Sequence, residues 1–191
     1  MKYQALSSAE LAAHAATLVN TVPAVYCGTY HKYNSCGKNA LFGAWIDLTS
    51  FDDYDEFIEF CHRLHHDEDD PEFMYQDYEG FPHCWYSESC MDRTTFDSIQ
   101  EWWNLPEDER DAFEAYLNYK GSDATIEDFH DHYCGKWSSG ADFAFDLLEQ
   151  TGDLVDIPIW IRSCIDFEAI WRSLDTAGDY TIEDGYVFSR Y

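Results

Sequence analysis

Positive charge is what this sequence has least of. Eleven Lys and Arg residues stand against thirty-eight Asp and Glu, a formal net charge of −27 over 191 residues. Nucleic acids and anionic membranes are held through Lys and Arg, so the deficit excludes both as partners. Basic surfaces, including the DNA-binding grooves of other proteins, would be attracted. Solubility or tolerance of high salt is the plainer use of such a surface. The chain does not lack aromatics, however. They make up 18% of it and hydrophobic residues 46%, which separates it from the acidic, aromatic-poor composition of disordered segments. A folded body that carries this much like charge loses stability to self-repulsion, which suggests that the charge is used.

Several other features are missing. The seven cysteines form no CxxC pair and no dense framework, so they read as reduced, mostly buried thiols. No stretch approaches the ~18 apolar residues of a membrane span. Only Lys2 is basic at the N-terminus, and Glu10 and His14 interrupt the apolar residues there. That is a poor secretion signal, and the expected location is the cytoplasm. GxSxG, HExxH and GxxxxGK[ST] are absent, and Lys32 and Lys38 sit in a loop without a phosphate-cradle pattern. The His and Cys clusters (Cys61, His62, His65 and His66; His130, His132 and Cys134; His83 and Cys84) lack zinc-site spacing. The acidic run 67–72 lacks the glycine and terminal Glu of a calcium loop. No metal, no other cofactor and no enzymatic activity are expected.

The patterning that is present predicts α+β structure in three small modules after a helical extension. Residues 1–22 read as one nearly uncharged helix, opened by the capping-box pair Ser7 and Glu10 and stopped by Pro23. Residues 23–82 form the first module. It has strands from AVYCGTY and ALFGAWIDL, with the NSCGKN loop between them. An amphipathic helix over 50–67 follows, capped by Ser50 or Asp52, with Phe57, Cys61 and Leu64 inward beside Tyr54 and Ile58. A strand over 73–78 closes the module. Residues 83–121 form a second, helical module with Phe96, Ile99 and Trp103 on one face, then Phe113, Tyr116 and Leu117, with Gly121 as C-cap. In 122–191, TIEDFHDHYCGKW and SGADFAFDLLEQTG read as helices, IPIWIRSCIDFEAIWRSL as another, and the chain ends in a hairpin around a Glu-Asp-Gly turn. Modules this small bury modest cores, so they would lean on each other or on a second subunit.

The acidic residues are patterned as well. HHDEDDPEFMYQDYEG, residues 65–80, holds seven carboxylates in sixteen positions with aromatics threaded among them. Acids at i, i+3 and i+4 on a helix lie ~5–6 Å apart. A duplex carries one charge per ~1.7 Å of axis, so −27 corresponds to roughly 46 Å of DNA, and two copies to roughly 92 Å, about 27 base pairs. A rigid array of this kind would suit a basic groove without reproducing base edges, because phosphate contacts are sequence-independent. The carboxylates in phosphate-like positions are Asp52, Asp53, Asp55, Glu56, Glu59, Asp67, Glu68, Asp69, Asp70, Glu72, Asp77 and Glu79. Glu101, Glu107, Asp108, Glu109, Asp111, Glu114, Asp123, Glu127, Asp128 and Asp131 extend the series. A general acidic module that binds histone-like or other basic proteins is the alternative. Part of the cluster has a structural use, since early-turn carboxylates favour the helix dipole.

These stretches resemble the ArdA antirestriction proteins. AVYCGTYHKYNSC is similar to that family's opening strand and loop. LFGAWIDL with the acidic helix, and then HHDEDDPEFMYQDYEGFP, is its most recognisable part. LPEDERDAFEAY, YCGKWSSGADFAFDLLEQTG and the IDFEAIWRSL to DGYVF region are similar to its later modules. The resemblance spans residues 23–191. It implies an elongated, modular homodimer carried by mobile DNA, which mimics bent B-form DNA and occupies the DNA-binding groove of Type I restriction–modification enzymes. It also implies a dimer contact in the third module, with Phe143, Leu147 and Leu148 as contact residues here. The Cys- and His-rich positions depart from the family pattern.

Overall fold

The computed structural model describes residues 3–16, 22–36 and 42–191. The chain divides into two compact units, Met1–Pro106 and Glu107–Tyr191. Both are mixed α+β.

The first unit runs α1 (Ser8–His14), β1 (Ala24–Thr29), α2 (Tyr30–Cys36), β2 (Ala44–Asp47), α3 (Tyr54–Leu64), β3 (Phe73–Glu79) and α4 (Arg93–Trp103). Its antiparallel sheet has the order β2-β1-β3. The central strand β1 is buried along its whole length, which matches its unbroken apolar reading. Phe57, Phe60 and Cys61 of α3 and Phe96, Ile99 and Trp102 of α4 build the core. Phe57 is fully buried. Its ring centroid lies 5.4 Å from Phe96, 5.6 Å from Phe51 and 6.3 Å from Tyr75. Burying one such side chain is worth ~1.5–3 kcal/mol.

The second unit runs α5 (Glu107–Lys120), α6 (Ile126–His132), β4 (Tyr133–Lys136), α7 (Gly140–Gln150), α8 (Ile159–Arg162), α9 (Phe167–Ala177), β5 (Tyr180–Glu183) and β6 (Tyr186–Ser189). Its sheet order is β4-β6-β5. Phe113, Tyr116 and Leu117 of α5 meet Phe129, Val187 and Phe188 in the core. The hairpin turns on Asp184 and Gly185, with φ of 50° and 84°. Two positive φ values in a row suit the right-handed strand twist, which is why an Asp-Gly pair sits there.

Several sequence expectations need correction. The N-terminal helix is confined to Ser8–His14. Ala15 is extended and bridges Ile46, and the Ala16 amide donates to the Trp45 carbonyl at 3.2 Å. The open edge of β2 thus takes over the backbone that would have continued the helix. Residues 17–21 of the expected helix, and residues 37–41 of the NSCGKN loop and second strand with Lys38, lie outside the described residues. The loop expected after β1 begins as α2, because the Thr29 hydroxyl accepts from the Lys32 amide at 3.2 Å and caps a first turn. Asp53 caps α3, accepting from the Glu56 amide, while the Ser50 hydroxyl is used by the Asp47 carbonyl and His14. Trp102 takes the core position expected for Trp103, which is half-buried. YCGK is a strand rather than the end of a helix. Gly135, at φ 131°, has left helical space, and β6 offers a partner. The stretch read as one helix over 157–174 is divided into α8 and α9, because the Asp166 side chain accepts from the Ala169 amide and starts a new helix there.

Candidate functional site

Of the twenty-two carboxylates singled out by pattern, twenty are exposed; Glu68 and Glu109 are half-buried. In the first unit they ride on α3, the turn after it and β3, with Glu101 standing apart on α4. Asp55, Glu56 and Glu59 stand on the outer face of α3, whose opposite face is fixed by Phe57, Phe60 and Cys61. Asp67, Glu68, Asp69, Asp70 and Glu72 follow in the turn between α3 and β3. Asp77 and Glu79 project from β3, an edge strand. A bulge sets their direction. Tyr26 pairs with Asp77 and Cys27 with Tyr75, so Gln76 is the extra residue. The alternation resets there: Tyr75 is buried, whereas Asp77 and Glu79 face out. Charges on an edge strand also discourage strand addition by another chain.

In the second unit, Glu107, Asp108 and Glu109 occupy the first turn of α5, and Glu127 and Asp128 the first turn of α6, where Thr125 is the cap. The helix dipole accounts for part of this placement. Glu109 accepts from or pairs with His130 at 3.1 Å. Pattern reasoning left out further exposed acids, among them Glu88 and Asp97 in the first unit and Asp142, Glu149 and Asp156 in the second. They lie singly along their segments, so no local run marked them.

The scarce cations are largely absorbed by local contacts. Lys32 reaches Asp67 at 2.8 Å, Arg63 reaches Glu10 at 2.6 Å, Arg93 reaches Asp55 at 2.6 Å and Arg190 reaches Asp175 at 3.2 Å. The Lys136 ammonium lies over the Tyr186 ring, and Arg162 donates to the carbonyls of Ile157 and Val155. Hydrogen bonding from Lys32 holds the Asp67 carboxyl below its ordinary range. Bonds from Ser7 and Arg63 bring Glu10 down to about 2. Both stay ionised at any pH where the protein would work.

The His and Cys positions have structural explanations. His65 is 1% exposed, with Nε2 3.3 Å from the Cys27 carbonyl. His62, expected to face outward, is half-buried, stacked on Tyr3 and edge-on to Phe73, and burial lowers its pKa. His66 is exposed, and Cys27 and Cys61 are buried, but Cys84, Cys90, Cys134 and Cys164 are exposed, against the expectation of mostly buried thiols. Among the described residues, no group of three or more His, Cys, Asp or Glu is placed to hold a metal ion. No described helix is long and apolar enough to cross a membrane. Lys32 and His65, in sequence only a loop cation and a member of a His cluster, are brought together by the fold, 3.1 Å apart. Lys32 is one of the few cations, and its position in the strand–loop stretch was the only available signal.

Phe143 is buried within its own unit against Trp137, Trp171 and Tyr180. Leu147 and Leu148 are half-buried, and Leu147 lines a pocket of about 220 Å³ with Cys134, Trp137 and Tyr180. Large apolar side chains stand in solvent at several places, among them Phe42 and Tyr191; a group of them lies just beyond α7, where Val155 is 71% exposed, Ile159 83% and Trp160 72%.

Fold and surface together define an α+β protein that presents dense negative charge, with most of its described cations held in local contacts. The family model for the antirestriction protein ArdA matches residues 25–188, and the chain belongs to that family. Its function is therefore antirestriction in the general sense: it is an inhibitor directed at restriction–modification enzymes. No curated protein matches the chain significantly.

Proposed function

We propose that the protein inhibits by standing in for DNA, with its carboxylates received as phosphates in the DNA-binding groove of a Type I restriction–modification enzyme. The observation that carries this reading is the exposure of twenty of the twenty-two patterned carboxylates, together with local pairing of four basic residues. A groove built for phosphates meets Lys- and Arg-complementary charge without needing base edges. Rigid seating matters because a charge that must be ordered on binding gives up affinity to entropy. Catalysis has no part in the mechanism, and a cytoplasmic location follows from the target.

Dimer formation is part of the same proposal, since doubling the chain doubles the length of duplex it can match. Phe143 would support the contact from inside its unit rather than touch a partner. Leu147, Leu148 and the exposed Val155, Ile159 and Trp160 are the side chains suited to meet a second copy. Solvent exposure of such large apolar groups in a protein this acidic favours their being covered.

The test is a competition on a purified Type I enzyme. Protein and duplex DNA should exclude each other, with an apparent inhibition constant that rises in proportion to added DNA and weakens steeply with salt. Binding that persists unchanged under saturating DNA would replace mimicry with a site outside the groove.

A further inference from the structure

One basic side chain sits inside the acidic turn that a stand-in for phosphates would be expected to keep free of cations. Lys32, in the first turn of α2, points its ammonium into the acidic turn after α3. It lies 2.8 Å from Asp67 Oδ1, 3.6 Å from Glu68 Oε1 and 3.1 Å from His65 Nδ1. Its side chain is only 17% exposed. His65 is almost wholly buried, and its Nε2 lies 3.3 Å from the Cys27 carbonyl. That carbonyl can only accept, so Nε2 carries the proton and Nδ1 accepts from Lys32. The Thr29 hydroxyl donates to Glu68 at 2.6 Å and also accepts the Lys32 amide. Two backbone bonds complete the frame: the Tyr30 amide to the Glu72 carbonyl at 3.0 Å and the Glu68 amide to the His65 carbonyl at 3.0 Å. Two of the ammonium donors thus have hydrogen-bond acceptors, His65 Nδ1 and Asp67 Oδ1, and Glu68 adds an ion-pair partner on the turn at 3.6 Å.

We propose that Lys32 is a positioning residue for the inhibitory surface: its ammonium pins the turn bearing Asp67, Glu68, Asp69, Asp70 and Glu72 against β1 and α2. This rests on the DNA-mimic reading and adds a sign to it. Asp67 and Glu68 would repel each other and their acidic neighbours if Lys32 were neutral, and the turn would spread. Counting charge alone makes removal of a cation favourable for binding a basic groove. Positioning makes it unfavourable, because five carboxylates lose their fixed places.

Lys32→Met removes the charge and keeps the length, Lys32→Gln keeps donors without the charge, and Lys32→Arg keeps the charge. Each is assayed in the full chain for inhibition of a Type I enzyme, with duplex competition on the parent chain as reference. Amide hydrogen exchange and thermal melting are measured alongside. Lys32→Met should weaken inhibition about tenfold, the equivalent of fixing the backbone of roughly one residue. It should speed exchange at the Glu68 and Tyr30 amides while leaving the β1 and β3 amides protected. Lys32→Gln should fall between Lys32→Met and the parent, and Lys32→Arg should stay close to it. A general loss of protection would mark Lys32 as a residue of the fold alone and overturn the proposal. So would Lys32→Met inhibition equal to or tighter than the parent's. If the parent fails to compete with DNA, the mimic reading falls. Faster exchange confined to the turn in Lys32→Met would still show that Lys32 pins it.

Discussion

Block neutralisation of the 67–79 stretch tests the reading most directly. Asp67, Glu68, Asp69, Asp70, Glu72, Asp77 and Glu79 are changed together to their amides, and singly for comparison. All but Glu68 are exposed, so each faces a partner cation through water as well as protein. Exposed pairs are worth about 0.2–1 kcal/mol each. A single amide change should therefore weaken inhibition by less than about tenfold, since a factor of ten needs ~1.4 kcal/mol. Seven such terms sum to roughly 1.4–7 kcal/mol, so the block variant should lose between about ten and 10⁵-fold, with roughly a thousandfold as the central value. The fold should survive because the aromatic core beneath is unaltered, while the turn itself loses the Asp67 and Glu68 partners of Lys32, so amide exchange in the turn is followed alongside. The assay is inhibition of a purified Type I enzyme across a salt series. The Debye length shrinks from ~10 Å at 0.1 M to ~3 Å at 1 M, so the parent should lose affinity with salt much faster than the block variant. One amide change that abolishes inhibition, or a block variant that inhibits like the parent, would refute summed electrostatics and point to a specific contact.

Three further outcomes follow from the structure. Asp53 caps α3 and also carries one of the exposed charges. Asp53→Ala should cost about 0.5–2 kcal/mol of stability, seen as a lower melting temperature, whereas Asp53→Asn should keep the cap and reduce inhibition only slightly. A Cβ at Gly140 would lie 2.3 Å from the Trp171 ring, so Gly140→Ala should destabilise the second unit by about 1–3 kcal/mol in denaturant unfolding. Glu10, held at about 2 by Ser7 and Arg63, sits below its ordinary 4.5. Its folded pKa is depressed, so its contribution is complete above 4.5 and lost as pH falls toward 2. A carboxyl NMR titration should give that low midpoint, and Arg63→Gln should raise it.

Much of this protein was legible in the order of its residues. Charge sign follows from composition alone, and exposure of the acids follows from solvation, since an unpaired carboxylate stays in water wherever the chain goes. The capping box at Ser7 and Glu10, the apolar face of α3 through Phe57 and Cys61, and the Asp-Gly hairpin are local, so short windows contain all that specifies them. Contacts between distant segments are not contained in any window. Where α1 ends was decided by the edge of β2, some thirty residues away, and β4 formed because β6 lay beside it. The same holds for the cations. Lys32 in sequence is a lone positive charge in a loop; only the fold brings it to Asp67 and His65 and makes it the pin of an acidic turn. Pairing energies across the fold outweigh local propensities of a fraction of a kcal/mol per residue, which is why tertiary structure had the last word at these positions.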